Sequence, residues 1–241
     1  MVQAMTTPQR TAFSRSREAR DRFCKAKDRV LLPILKGLSI PDPASFLAIL
    51  MPSLYGIEAR FLVEHGVPPK NIFAIEDNSA EKDFDVHNEI VHCRLPDRQE
   101  MKGMQTTGRP TRLVSALDEA WFAFDCRPCN LIYLDFLSQP DFRVHYWGCL
   151  RKLFKGRMLV AGSTLILNFG KSRCREVTAE FNHDLSREAQ RVRRTLSDDE
   201  NPKVLIEAAV ESFGSLALKS LVCSHSYMSG TQRYTTTVAE F

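Results

Sequence analysis

The sequence predicts an α/β protein built on a mostly parallel sheet that ends in an antiparallel hairpin. The unbroken apolar run over residues 46–51 and the mostly apolar run over residues 130–136 are typical of strands that are buried on both faces of a parallel sheet. Helical patterns alternate with these runs, which is the order of βα units. The last two β-rich runs, residues 220–227 and 232–241, are separated by one short turn and therefore predict a hairpin.

The chain is predicted to open with a basic helix over residues 8–35. Pro33, Pro41 and Pro43 are then expected to break the chain before the first strand. A narrow apolar stripe is expected at Ala19, Phe23, Ala26 and Val30. Two interpretations stay open: an arm that holds nucleic-acid phosphates, with Arg17 and Arg20 as substrate-binding candidates, or a solvated helix packed on the sheet edge. The other faces carry Arg10, Arg15, Arg17, Arg20, Arg22, Lys25, Lys27 and Arg29.

Residues 45–78 form the unit around which the domain is organised. The strand at 46–51 is followed by a tight turn at Gly56, and Ile57, Phe61 and Leu62 then mark one face of a short helix. A second buried strand covers residues 71–75 and leads directly into Glu76, Asp77 and Asn78. An acid about 20 residues past the turn glycine has the spacing of a βαβ nucleoside site, where it accepts the ribose hydroxyls.

The first turn of this unit selects among nucleoside ligands. The strand is followed by Pro52, Ser53, Leu54 and Tyr55. Gly56 is the single glycine of this turn, so the G-x-G-x-x-G fingerprint is absent. That absence disfavours NAD and FAD, whose pyrophosphate needs close backbone approach. S-adenosylmethionine has no pyrophosphate and remains compatible. The alternative is a generic α/β crossover whose strand ends in two surface acids.

The middle of the chain predicts less regular structure. Residues 89–93 are a candidate third strand, residues 96–110 a polar loop, and residues 111–124 a helix with Leu113, Leu117, Ala120 and Phe124 inward. The pair Cys126 and Cys129 forms a CxxC that precedes a strand, whereas a redox dithiol sits at a helix N-terminus after one. No second pair stands at zinc-knuckle spacing, so no metal site is indicated and a turn with two ordinary thiols is expected.

The strand at 130–136 carries the candidate chemistry of the second half. Asp135 lies at its carboxyl end and the loop Leu137-Ser138 follows, where ligands gather in open α/β sheets. The acid serves catalysis or substrate binding, or it caps the next helix. The remaining expectations are a helix over 142–160, a strand over 164–169, a charged insertion at about 170–201 and a helix from Pro202.

Composition sets the broad class. The formal net charge of +4 is compatible with a nucleic-acid partner without requiring one. Seven scattered cysteines without a secretory signal indicate reduced thiols and a cytoplasmic protein. No apolar run approaches the roughly 20 residues of a membrane span. We expect two parts, an N-terminal helical extension over residues 1–44 and an α/β domain over residues 45–241.

This order of elements resembles the class I S-adenosylmethionine-dependent methyltransferase superfamily. Its Rossmann-like fold is a seven-stranded sheet whose last strand runs against the others, and the resemblance covers residues 45–241. The turn at residues 51–56 matches the family's cofactor loop, with its glycines reduced to Gly56, and Glu76-Asp77 matches its ribose-binding acid. The loop after strand four holds catalytic or substrate-contacting residues in that family.

The resemblance implies S-adenosylmethionine as cofactor and methyl transfer as activity. For the acceptor, the modest positive charge and two Arg-rich segments favour nucleic acid, with a small molecule or a protein as the alternatives. The resemblance also implies catalytic roles for Asp135 and Ser138 and an acceptor contact for Leu137. The family's amino-methylating motif of Asn or Asp, two prolines and an aromatic residue is absent, so transfer to an exocyclic base nitrogen is not supported. The cofactor would be bound by Pro52, Ser53, Tyr55, Gly56, Glu76, Asp77, Asn78, Asp135 and Phe136.

The reduced glycine loop keeps a second function class open. A non-catalytic relative on the same fold would use its basic surfaces to hold nucleic acid or a protein partner. An NAD-dependent oxidoreductase is a third alternative, disfavoured by the missing pyrophosphate loop.

Overall fold

In the computed structural model, the described residues include seven strands that pair into one sheet. The structure describes residues 17–51, 56–75, 105–106, 113–136, 142–170, 201–213, 216–229 and 232–241. The strands occur in the order β3-β2-β1-β4-β5-β7-β6 across the sheet. Their bounds are β1 Ala48–Leu50, β2 Ile72–Ala74, β3 Gln105–Thr106, β4 Leu131–Phe136, β5 Thr164–Gly170, β6 Ser220–Ser229 and β7 Gln232–Glu240.

The sheet is parallel except at β7. Pairings β1–β2, β2–β3, β1–β4 and β4–β5 are parallel, whereas β7 runs antiparallel to both β5 and β6. β6 therefore points the same way as β1 to β5. The mostly parallel α/β sheet and the C-terminal antiparallel hairpin are confirmed.

Helices cover both faces of the sheet. The helices are α1 Arg17–Lys36, α2 Ile57–Glu64, α3 Leu113–Ala123, α4 Phe142–Lys155 and α5 Asn201–Phe213, with a short 3-10 turn at Pro69–Asn71. On one face, α1 and α2 join an apolar layer that includes Leu31, Leu35, Leu62 and Tyr133. On the other face, α3, α4 and α5 pack in a layer around Leu117, Leu153, Ile206 and their neighbours.

Helix α1 differs from its prediction in two ways. Its buried face carries Leu31 and Leu35, while Ala26 and Val30 are half-buried, so the packed stripe is rotated from the one expected. The larger leucine side chains bury more apolar area than alanine and valine. Pro33 lies inside the helix, which continues to Lys36. The missing proline N–H costs one backbone hydrogen bond, and packing of the helix on the sheet offsets that loss.

The polar loop predicted over residues 96–110 contains a short strand. The strand that pairs with β2 is Gln105–Thr106, which was predicted as part of a polar loop. Two residues are too short for an apolar period to be recognised. Residues 89–93 and the charged insertion beyond Gly170 lie outside the described residues. None of the helices in the described part of the chain is both long and apolar enough for a transmembrane helix.

Candidate functional site

The strand order creates a switch point between β1 and β4. From β1 the chain moves to β2 and β3 on one side, whereas β4 and β5 lie on the other side. Crossover connections leave in opposite directions at such a point, and open α/β sheets commonly bind their ligands there, outside the carboxyl ends of the two strands. The backbone closes tightly beneath the switch point, because Met51 donates its N–H to the carbonyl of Tyr133 over 2.9 Å and Ile75 donates to Leu50 over 2.7 Å.

Gly56 shapes the turn that follows β1. It is buried, has φ 56° and ψ 34°, and immediately precedes α2. This left-handed conformation costs an L-residue with a side chain on the order of 1 kcal/mol, which explains the glycine. The carbonyl of Gly56 accepts the N–H of Arg60 over 3.0 Å and starts the helix. Four amide groups at a helix start lack partners within the helix, so the amino end of α2 suits a polar or anionic ligand group.

Asp135 stands at the carboxyl end of β4 with both carboxylate oxygens engaged. The ammonium of Lys27, on α1, lies 2.7 Å from Oδ2. Asn168, on β5, donates its side-chain amide to Oδ1 over 2.5 Å. Thr236, on β7, donates its hydroxyl to Oδ1 of Asn168 over 3.2 Å. The acid is therefore held by groups from two other elements, α1 and β5, and β7 supports one of these groups through Thr236.

Sheet register explains why these side chains meet. Asp135 lies opposite Asn168, and Asn168 lies opposite Thr236, in neighbouring strands. Residues in register project to the same face of a sheet, so the three form a polar row across β4, β5 and β7. Asn168 and Thr236 are almost fully buried, which makes their mutual hydrogen bond necessary.

Lys27 is the cation of this site. It is only 3% exposed, and its ammonium is 3.9 Å from a carboxylate oxygen of the fully buried Glu58 as well as 2.7 Å from Asp135. The ring of Tyr133 lies beneath it, 5.4 Å from nitrogen to centroid. A buried ammonium is tolerated only with such partners, because its transfer out of water is otherwise prohibitive. Three elements, α1, α2 and β4, are tied together at this one nitrogen.

The arrangement has defined chemical capacities. An ionised carboxylate offers about four acceptor positions, so Asp135 can still accept a hydrogen bond after binding Lys27 and Asn168. The site contains two carboxylates, those of Glu58 and Asp135, and one ammonium, that of Lys27. The excess negative charge would attract a ligand that carries a cationic centre, because water screens charges weakly in a largely buried site.

The structure brings two of the predicted site residues to the same edge of the sheet. Gly56 and Asp135 both lie at the carboxyl ends of the central strands. Phe136 is the last residue of β4, and Arg17 and Arg20 lie in the first turns of α1, with only their backbone described. The remaining predicted residues, Pro52, Ser53, Tyr55, Glu76, Asp77, Asn78, Leu137 and Ser138, lie outside the described residues.

Four residues of the site were not identified from the sequence. They are Lys27, Glu58, Asn168 and Thr236. Lys27 was placed outside the predicted apolar stripe, yet it stands four residues before Leu31 and eight before Leu35, on the stripe that packs. Asn168 interrupts an otherwise apolar strand, which is a usable signal for a buried polar partner.

The CxxC segment is a turn. Cys126 is exposed with φ 57°, while Cys129 is buried, and both are free thiols. Burial raises the pKa of Cys129 to about 12, although the neighbouring Arg127 opposes the shift. Within the described ranges, no group of three or more histidine, cysteine or acidic side chains gathers as metal ligands.

Comparison with known proteins finds distant structural neighbours, two of which are given below. No family model matches the chain, and no curated protein does. The precorrin-6y C5,15-methyltransferase from Geobacter metallireducens GS-15 is 10% identical over 96% of this chain and 92% of its own, with a TM-score of 0.38. A functionally unknown protein from Deinococcus radiodurans R1 is 10% identical over 93% and 99%, with a TM-score of 0.35. Both TM-scores are too low for a neighbour's activity to be transferred to this chain.

Proposed function

We propose that the protein is an S-adenosylmethionine-dependent methyltransferase. One observation carries the proposal: Asp135 is held at the switch point between β1 and β4, on a sheet in which β7 alone runs against the other strands. The switch point is where an open α/β sheet binds nucleosides. The reversed last strand is the feature that the class I methyltransferase resemblance predicts.

The cofactor is proposed to span the ends of β1, β2 and β4. Ile75 bonds to the end of β1, and the chain continues from it directly into Glu76. Glu76 is assigned to the ribose hydroxyls, with Asp77 and Asn78 toward the ribose edge or adenine. The turn from Pro52 to Gly56, through Ser53 and Tyr55, is assigned to the methionine part, and Asp135 and Phe136 to the edge nearest the methyl group.

The proposed mechanism relies on alignment. A methyl sulfonium is electrophilic by itself, so the protein accelerates transfer mainly by holding the acceptor in line with the methyl group. Asp135 would orient the acceptor or take its proton, and Ser138 in the following loop would assist. Lys27 and Asn168 hold the carboxylate in one orientation, since each occupies a different oxygen.

The ribose assignment has a direct test. Glu76→Ala is expected to weaken S-adenosylhomocysteine binding at least about tenfold, because a charged hydrogen bond to the sugar contributes about 1.5–3 kcal/mol. Isothermal titration calorimetry measures the affinity. Glu64→Ala is the matched control, since Glu64 is the exposed last residue of α2, and its affinity is expected to equal that of the original protein. Equal affinities for all three proteins would contradict the assignment.

We propose nucleic acid as the acceptor class. Lys27 already lies at the carboxyl edge, so the ten helical residues before it lead about 15 Å further along the axis of α1. Arg20 precedes Lys27 by seven residues, close to two full turns, and Arg17 lies one turn earlier. These arginines and Leu137 are the proposed acceptor contacts. Transfer of tritium from methyl-labelled S-adenosylmethionine to an unmodified RNA transcript or single-stranded DNA tests this class.

A binding protein without activity is the second candidate, and one observation favours it. Both oxygens of Asp135 are already engaged by Lys27 and Asn168, as in a purely structural network. A thermal-shift measurement separates the two functions, because a ligand that binds the native state raises the melting temperature. A rise with S-adenosylhomocysteine supports the cofactor site. No rise at millimolar ligand supports the binding protein.

A further inference from the structure

The face of α1 directed away from the sheet carries a line of exposed cations. Lys25, Arg29 and Lys36 are all exposed, and their spacings of four and seven residues place them along one side of the helix. At 1.5 Å per residue, neighbouring cations are separated by about 6 Å and about 10 Å along the axis. We call these three residues the outer basic line.

The composition of this segment is one-sided. From residue 25 to residue 36 the single acid is Asp28, which is half-buried. Leu32 is 39% exposed on the same side, and Pro33 beside it is exposed as well. The line therefore alternates positive charge with a small accessible apolar surface.

We propose that the outer basic line is a docking surface for the phosphodiester backbone of a single-stranded nucleic acid, outside the methyl-transfer site. A single strand presents phosphates at a spacing of several ångströms together with accessible base faces, which match the cations and the exposed Leu32. A membrane surface fits less well. Its ligands are helices with a broad apolar face directed outward, whereas α1 buries Leu31 and Leu35 against the sheet.

The outer basic line is connected to the site through the helix itself. The opposite side of α1 carries Lys27, which contacts Asp135 at the end of β4. A strand held along the outside of the helix is thus kept within reach of the carboxyl edge of the sheet. In this respect the inference rests on the proposed function, because the same acceptor would contact both the methyl-transfer site and the outer side of α1.

The test is fluorescence anisotropy with a 5′-labelled 20-nucleotide oligouridine at several salt concentrations. The variant Lys25→Gln/Arg29→Gln/Lys36→Gln is expected to bind at least about tenfold more weakly at low salt. Its plot of log affinity against log salt is expected to be shallower by about 2, since each lost single-strand phosphate contact removes about 0.7 from the slope. The control Lys70→Gln/Arg151→Gln/Lys219→Gln removes three exposed cations elsewhere and should retain the original affinity and slope.

Each other outcome overturns the surface. If the original protein does not bind the oligonucleotide, the proposed surface is wrong. If the control variant is weakened equally, net charge alone is responsible and the surface is also wrong. Binding to phosphatidylserine vesicles without binding to the oligonucleotide would assign the line to a membrane instead. S-adenosylhomocysteine affinity, measured on the same samples, decides the proposed function separately and is expected to be equal in all three proteins.

Discussion

A single lysine nitrogen joins three elements of this protein. Lys27 contacts Asp135 directly and lies near Glu58, and all three side chains are buried or nearly so. Removal of one partner of a buried ion pair usually costs more than the pair contributes, because the remaining charge is left uncompensated. Lys27 should therefore matter to folding stability as well as to the geometry of the site.

Lys27→Met is expected to lower the free energy of unfolding by about 3 kcal/mol, since two carboxylates lose their cation. Urea denaturation measures the change. Lys25→Met is the control, because Lys25 is exposed on the same helix, and its effect should stay within about 0.5 kcal/mol. The double variant Lys27→Met/Asp135→Asn should recover part of the loss, because it removes one of the uncompensated charges. Equal stability of the two lysine variants would contradict the burial of Lys27.

The buried thiols have a predictable reactivity. Burial raises the pKa of Cys129 and of Cys149 to about 12, from 9.0. At pH 8 their thiolate fraction is about a thousandfold below that of an ordinary cysteine, so both should resist iodoacetamide while the exposed Cys126 reacts. Site-resolved mass spectrometry of the native protein measures this. Alkylation of Cys129 as fast as Cys126 would contradict its burial.

The same raised pKa values have a consequence for stability at high pH. The unfolded chain releases the two thiol protons above about pH 9, whereas the folded protein keeps them until about pH 12. Unfolding is then favoured by deprotonation. The contribution of these thiols to stability is complete below pH 9 and is lost progressively as pH rises toward 12.

At the scale of elements, α1 is packed as part of the apolar layer that it shares with α2. Leu35→Ala is expected to lower the free energy of unfolding by about 2–5 kcal/mol, the usual cost of removing a fully buried leucine. Leu32→Ala on the same helix is the control and should cost well under about 1 kcal/mol, because Leu32 is exposed. Similar losses for the two variants would contradict the docked orientation of the helix.

The elements that were predicted well are those with long, uniform patterns. The strand over residues 130–136 stands out because it is mostly apolar, and the hairpin near the C-terminus because a short turn separates two β-rich runs. Helix α4 ends at Lys155, five residues before the predicted end, because Gly156 and the left-handed Arg157 follow. Strand β3 was not predicted, because it has only two residues and is recognised in the described part of the sheet by its pairing with β2.

At the scale of the whole molecule, local patterns predicted the polarity of the sheet but only two of the six residues described at the site. The positions of Asp135 and Gly56 at strand ends were predictable because an acid after a buried strand and a lone glycine in a turn are visible in a single segment. Lys27, Asn168 and Thr236 become site residues only when α1, β5 and β7 are assembled around β4. That assembly depends on register and helix rotation, which short-range spacing does not encode.

The division into an N-terminal extension and an α/β domain stays a prediction, as do the cytoplasmic location and the nucleic-acid acceptor. The switch point and the single reversed strand follow from the order of seven strands and would be the same for many sequences. The proposed function therefore depends on Asp135 and its partner Lys27 at that switch point, and not on the fold alone. The calorimetric comparison of Glu76 with Glu64 variants tests the cofactor, and the oligonucleotide measurement tests the helix surface.

Lys27 and Asp135 are separated by 108 residues in the chain. At a ribosomal speed of 5–20 residues per second, roughly 5–20 s pass between synthesis of the lysine and synthesis of its acid. During that interval Asp135 has not yet been synthesised, so the Lys27 ammonium cannot pair with it and stays hydrated. Final docking of the first helix thus waits for the middle of the protein to leave the ribosome, and truncated nascent chains would leave this helix without its anchor.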